Sequence, residues 1–160
     1  MKGVLRVSLF GSIVLFFCAM GDLLEAKSIL KDPKLLVLII ASDELPIYVE
    51  DQRVWRSYMH LDPEHVEAYF IKSDPHLATE FLIEEDVIWV KEEETFKPGI
   101  VNKTIKSMEA FLPRISAEFD FVLRTNLSSF FVFPRLLDFL QTCRKQDLYT
   151  SGGGTFHYGA

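Results

Sequence analysis

The sequence predicts an α/β protein with a mostly parallel sheet flanked by helices. Residues 35–41 are a continuous apolar run, which is typical of a strand buried on both faces of a parallel sheet. Residues 66–71 and 119–123 are further short runs rich in aromatic and β-branched side chains, and segments with helical spacing lie between them. An alternation of strands and helices implies parallel strands joined by right-handed crossovers.

The composition fits one domain with a packed core, because 49% of the 160 residues are apolar and 13% are aromatic. The net charge is −6 and no basic block exists, so nucleic-acid binding is disfavoured: neutralising phosphates needs clustered Lys and Arg. The two cysteines, Cys18 and Cys143, form neither a CxxC pair nor a Cys/His cluster. A structural zinc site and a disulfide framework are therefore both poorly supported.

Residues 1–26 have the pattern of a targeting segment. Lys2 and Arg6 give a positive start, residues 7–20 are mostly apolar, and residues 24–26 form a passable cleavage site. Because a membrane helix needs ~20 apolar residues, a cleaved signal peptide is favoured over an uncleaved signal-anchor. In both cases the rest of the chain is expected to be exported. It is then secreted, or held at a secretory-pathway or periplasmic membrane through an uncleaved N-terminal segment.

The first half of the chain after this leader predicts three strands. In order, the elements are a strand at 35–41, a helix at 46–59, a strand at 66–71, a short helical or turn segment at 76–85 and a strand at 87–90. The last strand runs into an acidic string, residues 92–94, which is either a solvated charge run or a carboxylate source beside a ligand.

The second half predicts a long helix, a fourth strand and another helix. Pro98-Gly99 opens a helix at 100–115, and Lys103 lies largely off its apolar stripe, which consists of Ile100, Val101, Ile105, Met108, Phe111, Leu112 and Ile115. The strand at 119–123 ends in a polar string, residues 124–129. A helix then starts at Pro134, a residue suited to a first helical turn.

Polar residues follow the strands at 35–41 and 119–123, at the edge where open α/β sheets bind ligands. Asp43 is suited to accept hydrogen bonds from ribose hydroxyls, and a helix-capping role is about equally favoured. The guanidinium of Arg124 can grip phosphate oxygens with two donors, or form an ion pair with a neighbouring carboxylate. From these residues alone, an ordinary strand–loop–helix corner is the favoured interpretation.

Residues 85–140 resemble the central part of the β-1,3-galactosyltransferase family and its fringe-type and viral relatives. The matching segments are Asp86-Val87-Ile88, Glu94-Thr95-Phe96, Lys103-Thr104 and the string FVLRTNLSSF at 121–130, with Arg56-Ser57-Tyr58 as a looser match upstream. Their combined order and spacing are more specific than any single motif. The RTNLSS string is similar to a less-studied branch of glycosyltransferase-like proteins.

The resemblance implies a Rossmann-like sheet of the GT-A type, which binds a nucleotide-sugar donor at its strand ends. The implied activity is transfer of a sugar, as by a hexosyltransferase, to a hydroxyl of a glycan, protein or lipid acceptor. The expected donor-binding residues are Ser42, Asp43, Arg56, Arg124, Thr125, Asn126 and Ser128. No catalytic base can be assigned, and the family's acceptor-binding portion is expected beyond Ala160. Residues 27–160 are thus predicted to be the nucleotide-sugar-binding part of an incomplete, truncated domain.

The chain departs from the family at an acidic triplet that holds a divalent cation such as Mn²⁺, which bridges the donor's diphosphate. Here the triplet is Asn126, Leu127 and Ser128, so no carboxylate remains and no metal ligand is predicted. Three outcomes stay open: metal-independent transfer with Arg124 as the charge partner, Mn²⁺ held by carboxylates elsewhere, or an inactive relative. The alternative function is accordingly a catalytically inactive, secreted α/β module that binds a carbohydrate or protein partner.

Overall fold

The computed structural model describes residues 15–18, 32–95 and 97–143. Within these ranges the strands are β1 (Leu15–Cys18), β2 (Leu35–Ile40), β3 (Val66–Ser73), β4 (Phe81–Glu84), β5 (Val87–Val90) and β6 (Phe121–Asn126). The helices are α1 (Pro46–Arg56), α2 (Gly99–Glu118) and α3 (Phe133–Leu140). None of these helices is long and apolar enough to cross a lipid bilayer.

The strands form one mixed sheet of six, in the order β1-β6-β2-β3-β5-β4. The four inner strands are parallel, whereas β1 pairs antiparallel with β6 and β4 pairs antiparallel with β5. From β2 the chain moves outward through β3 to β5, and α2 then returns it to β6 on the other side of β2. The predicted α/β class with a mostly parallel sheet is confirmed.

Strand β2 is buried along its whole length because both faces of the sheet are covered. One apolar cluster joins its alternate residues Leu35, Val37 and Ile39 to Trp55 of α1 and Leu137 of α3. On the other face, the cluster contains Leu36, Leu38, Ile40 and Phe111 of α2. Each such side chain contributes about 1.5–3 kcal/mol when it is fully buried, so β2 is the centre of the core.

The prediction of a helical or turn segment at 76–85 is wrong for its second half. Residues 81–84 form β4, an edge strand that joins β5 through a tight turn at Glu85 and Asp86. Glu85 adopts a left-handed conformation, with φ of 52°. The apolar side chains Phe81, Leu82 and Ile83 stay partly exposed. The three apolar residues are consecutive, so the segment lacks the alternation of apolar and polar residues by which a half-buried strand is usually predicted.

The predicted buried face of α2 is confirmed in part. Phe111 is buried, and Ile100, Met108 and Ile115 pack against the same core cluster, whereas Val101, Ile105 and Leu112 are exposed. The buried residues of the helix are Gly99, Lys103, Ser107 and Phe111, at intervals of four residues. The buried face therefore also includes Lys103, whose ammonium finds acceptors there.

The predicted leader at 1–26 lies outside the described residues except for β1, whose backbone pairs with β6. Its cleavage or retention stays a prediction. Residues 144–160 also lie outside the described residues.

Candidate functional site

A cleft of about 330 Å³ opens at the carboxyl-terminal edge of the parallel strands. It is called the strand-end cleft below. Its walls come from the β2–α1 connection and α1, from the segment between β5 and α2, and from the loop after β6. The lining residues are Ile40, Ala41, Ser42, Glu44, Tyr48, Asp51, Glu94, Thr95, Ile100, Asn126, Leu127 and Ser128.

Three of the residues predicted to bind a donor meet in this cleft. Ser42 follows β2, whereas Asn126 and Ser128 lie at and just beyond the end of β6. The two strands are neighbours in register, with Ile40 opposite Asn126. Their carboxyl ends therefore bring residues that are more than eighty positions apart in sequence to one wall.

Asp43 lies between two lining residues, and its carboxylate is held at the edge of the cleft. The ammonium of Lys72 donates to both carboxylate oxygens at 2.8 Å, and the amide of Gln52 donates to Oδ1 at 2.9 Å. Burial acts to raise the pKa of Asp43, but the hydrogen bonds from Lys72 and Gln52 outweigh it and leave that pKa below its usual value. Asp43 is therefore a fixed anion beside the cleft.

Arg124 and Thr125 do not line the cleft, because β6 continues through both of them. Arg124 is 7% exposed and lies opposite Leu38 of β2, on the face of the sheet that α2 covers. Burial lowers the pKa of its guanidinium. Thr125 is fully buried, and its hydroxyl is 3.5 Å from the carbonyl oxygen of Asn126. Both residues lie behind the polar loop, inside the sheet.

Arg56 does not line the cleft. Its Nε and Nη2 donate to the two carboxylate oxygens of Asp86 at 2.7 and 3.1 Å, and the guanidinium lies 4.8 Å from the ring centre of Phe70. Asp86 directly precedes β5, and the first residue of β5, Val87, pairs with Phe70, so this ion pair lies beside the middle of β3. The structure thus does not bring Arg56 to the strand-end cleft.

A buried cation connects two walls of the cleft. The ammonium of Lys103 donates to Oε1 and Oε2 of Glu94 at 2.5 and 2.7 Å, and to the carbonyl oxygen of Ala41 at 3.1 Å. The side chain of Lys103 is 1% exposed, whereas that of Glu94 is 27% exposed. An ammonium has three protons, so these contacts match its donor capacity.

Side chains of α1 fix the two loops that follow β2 and β6. The amide of Gln52 donates to the carbonyl oxygen of Ser42 at 3.1 Å. The indole Nε1–H of Trp55 donates to the carbonyl oxygen of Leu127 at 2.9 Å, in a buried position. Leu127, the middle residue of the altered triplet, packs in the core cluster with Trp55, so its side chain anchors the loop.

The charged side chains that line the cleft are all acidic. They are Glu44, Asp51 and Glu94, and no Lys, Arg or His is among the lining residues that the structure describes. The described residues contain no group of three or more His, Cys, Asp or Glu placed to hold a metal ion. With Leu127 in the core, the triplet does not fit the carboxylate-held cation that the resemblance implies.

The sequence interpretation missed Gln52 and Lys72, which shape the cleft from behind. It predicted only a packing role for Trp55, and it placed Lys103 off the packing face. One signal was available for Lys103. It lies midway between the small residues Gly99 and Ser107, and positions at intervals of four fall on one face of a helix. Nothing comparable marks Gln52, whose acceptors are nine and ten residues away.

Comparison of the chain with protein-family models, with curated proteins and with solved structures found no match.

Proposed function

We propose that the strand-end cleft binds a nucleotide sugar and that the chain is a glycosyltransferase-like protein. The observation that carries this proposal is the position of the cleft between the carboxyl ends of β2 and β6. There the strand order reverses, and open α/β sheets bind nucleotides at such a switch point. The proposed fold is accordingly Rossmann-like, of the GT-A type, and the resemblance of residues 85–140 supports the same function.

In this proposal the neutral polar groups of the cleft contact the donor. The amide of Asn126 and the hydroxyls of Ser42 and Ser128 donate hydrogen bonds to diphosphate or sugar oxygens. Asp43 bounds the site, and Arg124 supports the strand behind it. No step is assigned to a metal ion, because the described lining residues do not fit one.

The proposed reaction transfers the sugar to a hydroxyl of a glycan, protein or lipid. The acceptor oxygen bonds to the anomeric carbon as the bond from that carbon to phosphate breaks, and the nucleoside diphosphate leaves with the electron pair. The proton of the acceptor needs a base. Carboxylates are suited to this role, and those lining the cleft are Glu44, Asp51 and Glu94.

A second candidate is a non-catalytic module that binds a neutral carbohydrate. The acidic lining of the cleft favours it, because carboxylates repel a diphosphate but accept hydrogen bonds from sugar hydroxyls. The aromatic ring of Tyr48 is also in the cleft and offers an apolar face to a sugar ring.

Calorimetric titration of the full chain separates the two candidates. The ligands are UDP-galactose, UDP-glucose, GDP-mannose and the corresponding free sugars, each with Mn²⁺ and with EDTA. Asn126→Ala removes an amide from the cleft and is expected to weaken donor binding about tenfold or more. Asn102→Ala is the matched control, because Asn102 lies on α2 and does not line the cleft.

Binding of a nucleotide sugar that persists in EDTA and weakens only in Asn126→Ala supports the transferase-like function. Binding of free sugars without the nucleotide favours the carbohydrate module. If a folded protein, as judged by circular dichroism, binds none of these ligands, both candidates are rejected.

A further inference from the structure

Glu94 differs from the other acidic residues of the strand-end cleft in being held from behind by a wholly buried cation. Both of its carboxylate oxygens accept hydrogen bonds from Lys103, while part of the side chain faces the cleft. We infer that Glu94 recognises a pair of neighbouring hydroxyls on a sugar ring, and that Lys103 is the residue that positions it. This inference rests on the proposed function, because it assigns a ligand group to the same cleft.

The carboxylate keeps acceptor capacity after it has bound Lys103. An ionised carboxylate offers about four lone-pair sites, and the ammonium uses one on each oxygen. The remaining sites lie on the more exposed side of the group. Two adjacent hydroxyls match a carboxylate well, because each hydroxyl can donate to one oxygen.

The surroundings of Glu94 fix its position before any ligand arrives. Lys103 also binds the carbonyl oxygen of Ala41 at the end of β2, which ties Glu94 to the opposite wall. The next residue, Thr95, accepts a hydrogen bond from the backbone N–H of Gly99 at 3.1 Å. A preorganised acceptor loses less conformational entropy on binding, which favours selectivity for correctly spaced hydroxyls.

A neighbouring carboxylate provides a matched comparison. Glu92 accepts hydrogen bonds from Lys106 and from the amide of Asn102, and it does not line the cleft. It lies two positions away in the same acidic string and also binds a lysine of α2. Only Glu94, of the two, combines a lysine partner with a face toward the cleft.

The ligand chemistry is a ring with vicinal hydroxyls, which a nucleotide sugar carries both on its ribose and on its hexose. The test uses the nucleotide sugar that binds most tightly among UDP-galactose, UDP-glucose and GDP-mannose. Its 2′-deoxyribose analogue and its 2-deoxyhexose analogue are titrated beside it. The wild-type chain is expected to prefer the parent ligand over one analogue by about 10- to 100-fold, since the lost hydrogen bond goes to a charged group.

The double variant Glu94→Gln/Lys103→Met removes both charges and leaves no unpaired buried ion. It is expected to lose the preference for the parent ligand and to bind the deoxy analogue with unchanged affinity. Lys103→Met alone is expected to reduce the preference, because Glu94 is then no longer oriented. Glu92→Gln is expected to keep the wild-type preference. A merely structural role for the pair would weaken the parent and the analogue equally.

The outcomes separate this inference from the proposed function. If the wild-type chain binds nucleotide sugars but shows no preference over either analogue, or if the double variant keeps the preference, this inference is wrong and the proposed function stands. If the wild-type chain binds no nucleotide sugar, the proposed function is wrong and the inference falls with it. The analogue that loses affinity identifies whether ribose or hexose contacts Glu94.

Discussion

The burial of Lys103 gives a quantitative test of how the candidate site is built. Lys103→Met keeps a long, unbranched side chain of similar volume but removes the ammonium. The substitution leaves the carbonyl oxygen of Ala41 and the carboxylate of Glu94 without this donor. Removing one partner of a buried ion pair costs about 3–5 kcal/mol of unfolding free energy.

The expected loss is somewhat smaller because one partner is not fully buried. Glu94 is 27% exposed, so water can solvate part of its charge in the variant. We therefore expect Lys103→Met to lower the free energy of unfolding by about 2–4 kcal/mol. Adding Glu94→Gln removes the stranded charge and should restore about 1–2 kcal/mol, while the unpaired carbonyl oxygen of Ala41 still costs part of the remainder.

Lys106→Met is the matched control on the same helix. Lys106 binds Glu80, Glu92 and the carbonyl oxygen of Lys91, but 23% of its side chain is exposed, so its removal should cost about 1 kcal/mol or less. Urea unfolding followed by tryptophan fluorescence measures all four proteins. Equal losses for the two lysine variants, or a double variant no more stable than Lys103→Met, would contradict a stabilising role for the burial of Lys103.

Three further predictions concern the start of α2 and the ion pair between Arg114, in the second half of α2, and Glu67. Gly99→Ala should destabilise by about 1–3 kcal/mol in thermal or urea unfolding, because the added methyl carbon would lie 2.6 Å from the hydroxyl oxygen of Thr95; adding Thr95→Ala should recover part of the loss. Burial acts to raise the pKa of Glu67, but hydrogen bonds from Arg114 and Tyr69 leave it below its usual value of 4.5. The stabilisation by Glu67 is therefore present above pH 4.5 and is lost as pH falls through the lower pKa. The Glu67→Gln variant should lose less unfolding free energy than the wild type over this pH range in acid unfolding. Burial and then the hydrogen bond to Glu67 raise the pKa of Tyr69 from 10.0 to about 12, so its stabilisation is present below pH 10 and is lost toward pH 12. Burial also raises the pKa of Tyr58 to about 12, so absorbance at high pH should show late-titrating tyrosines, and Tyr69→Phe should reduce their number by one.

The four inner strands could be predicted from the sequence because their signals are local, whereas the edge strands β1 and β4 were not predicted. A continuous apolar run defines β2, and the predicted strand at 87–90 coincides with β5. The burial of Lys103 on α2 could not be predicted in this way. It depends on acceptors from Ala41 and Glu94, which lie at other points of the chain. The apolar stripe at helical spacing correctly predicted the packing of Phe111 and its apolar neighbours, but it gave no sign that Lys103 is buried beside them.

Only part of the candidate site could be predicted, because the sequence shows where polar residues occur but not where strand pairing ends. Polar residues at strand ends identified Ser42, Asn126 and Ser128, all of which line the cleft. Arg124 and Thr125 belong to the same polar string, but β6 extends three residues further than the apolar run indicates. Hydrogen bonding to β2 keeps these residues extended, so their side chains point to the two faces of the sheet and not to its edge.

The shape of the strand-end cleft is fixed by side chains of α1 and α2 that donate hydrogen bonds to backbone carbonyl oxygens. Lys103, Gln52 and Trp55 each donate to a carbonyl oxygen just beyond β2 or β6, at Ala41, Ser42 and Leu127 respectively. Carbonyl groups at the end of a parallel sheet have no further strand residue to pair with, so buried ones need such partners. The consequence is a cleft whose floor is fixed by side chains that a ligand never touches. Substitutions at Gln52 and Trp55 are therefore expected to alter ligand affinity through loop geometry, whereas substitutions at Asn126 and Ser128 act by direct contact.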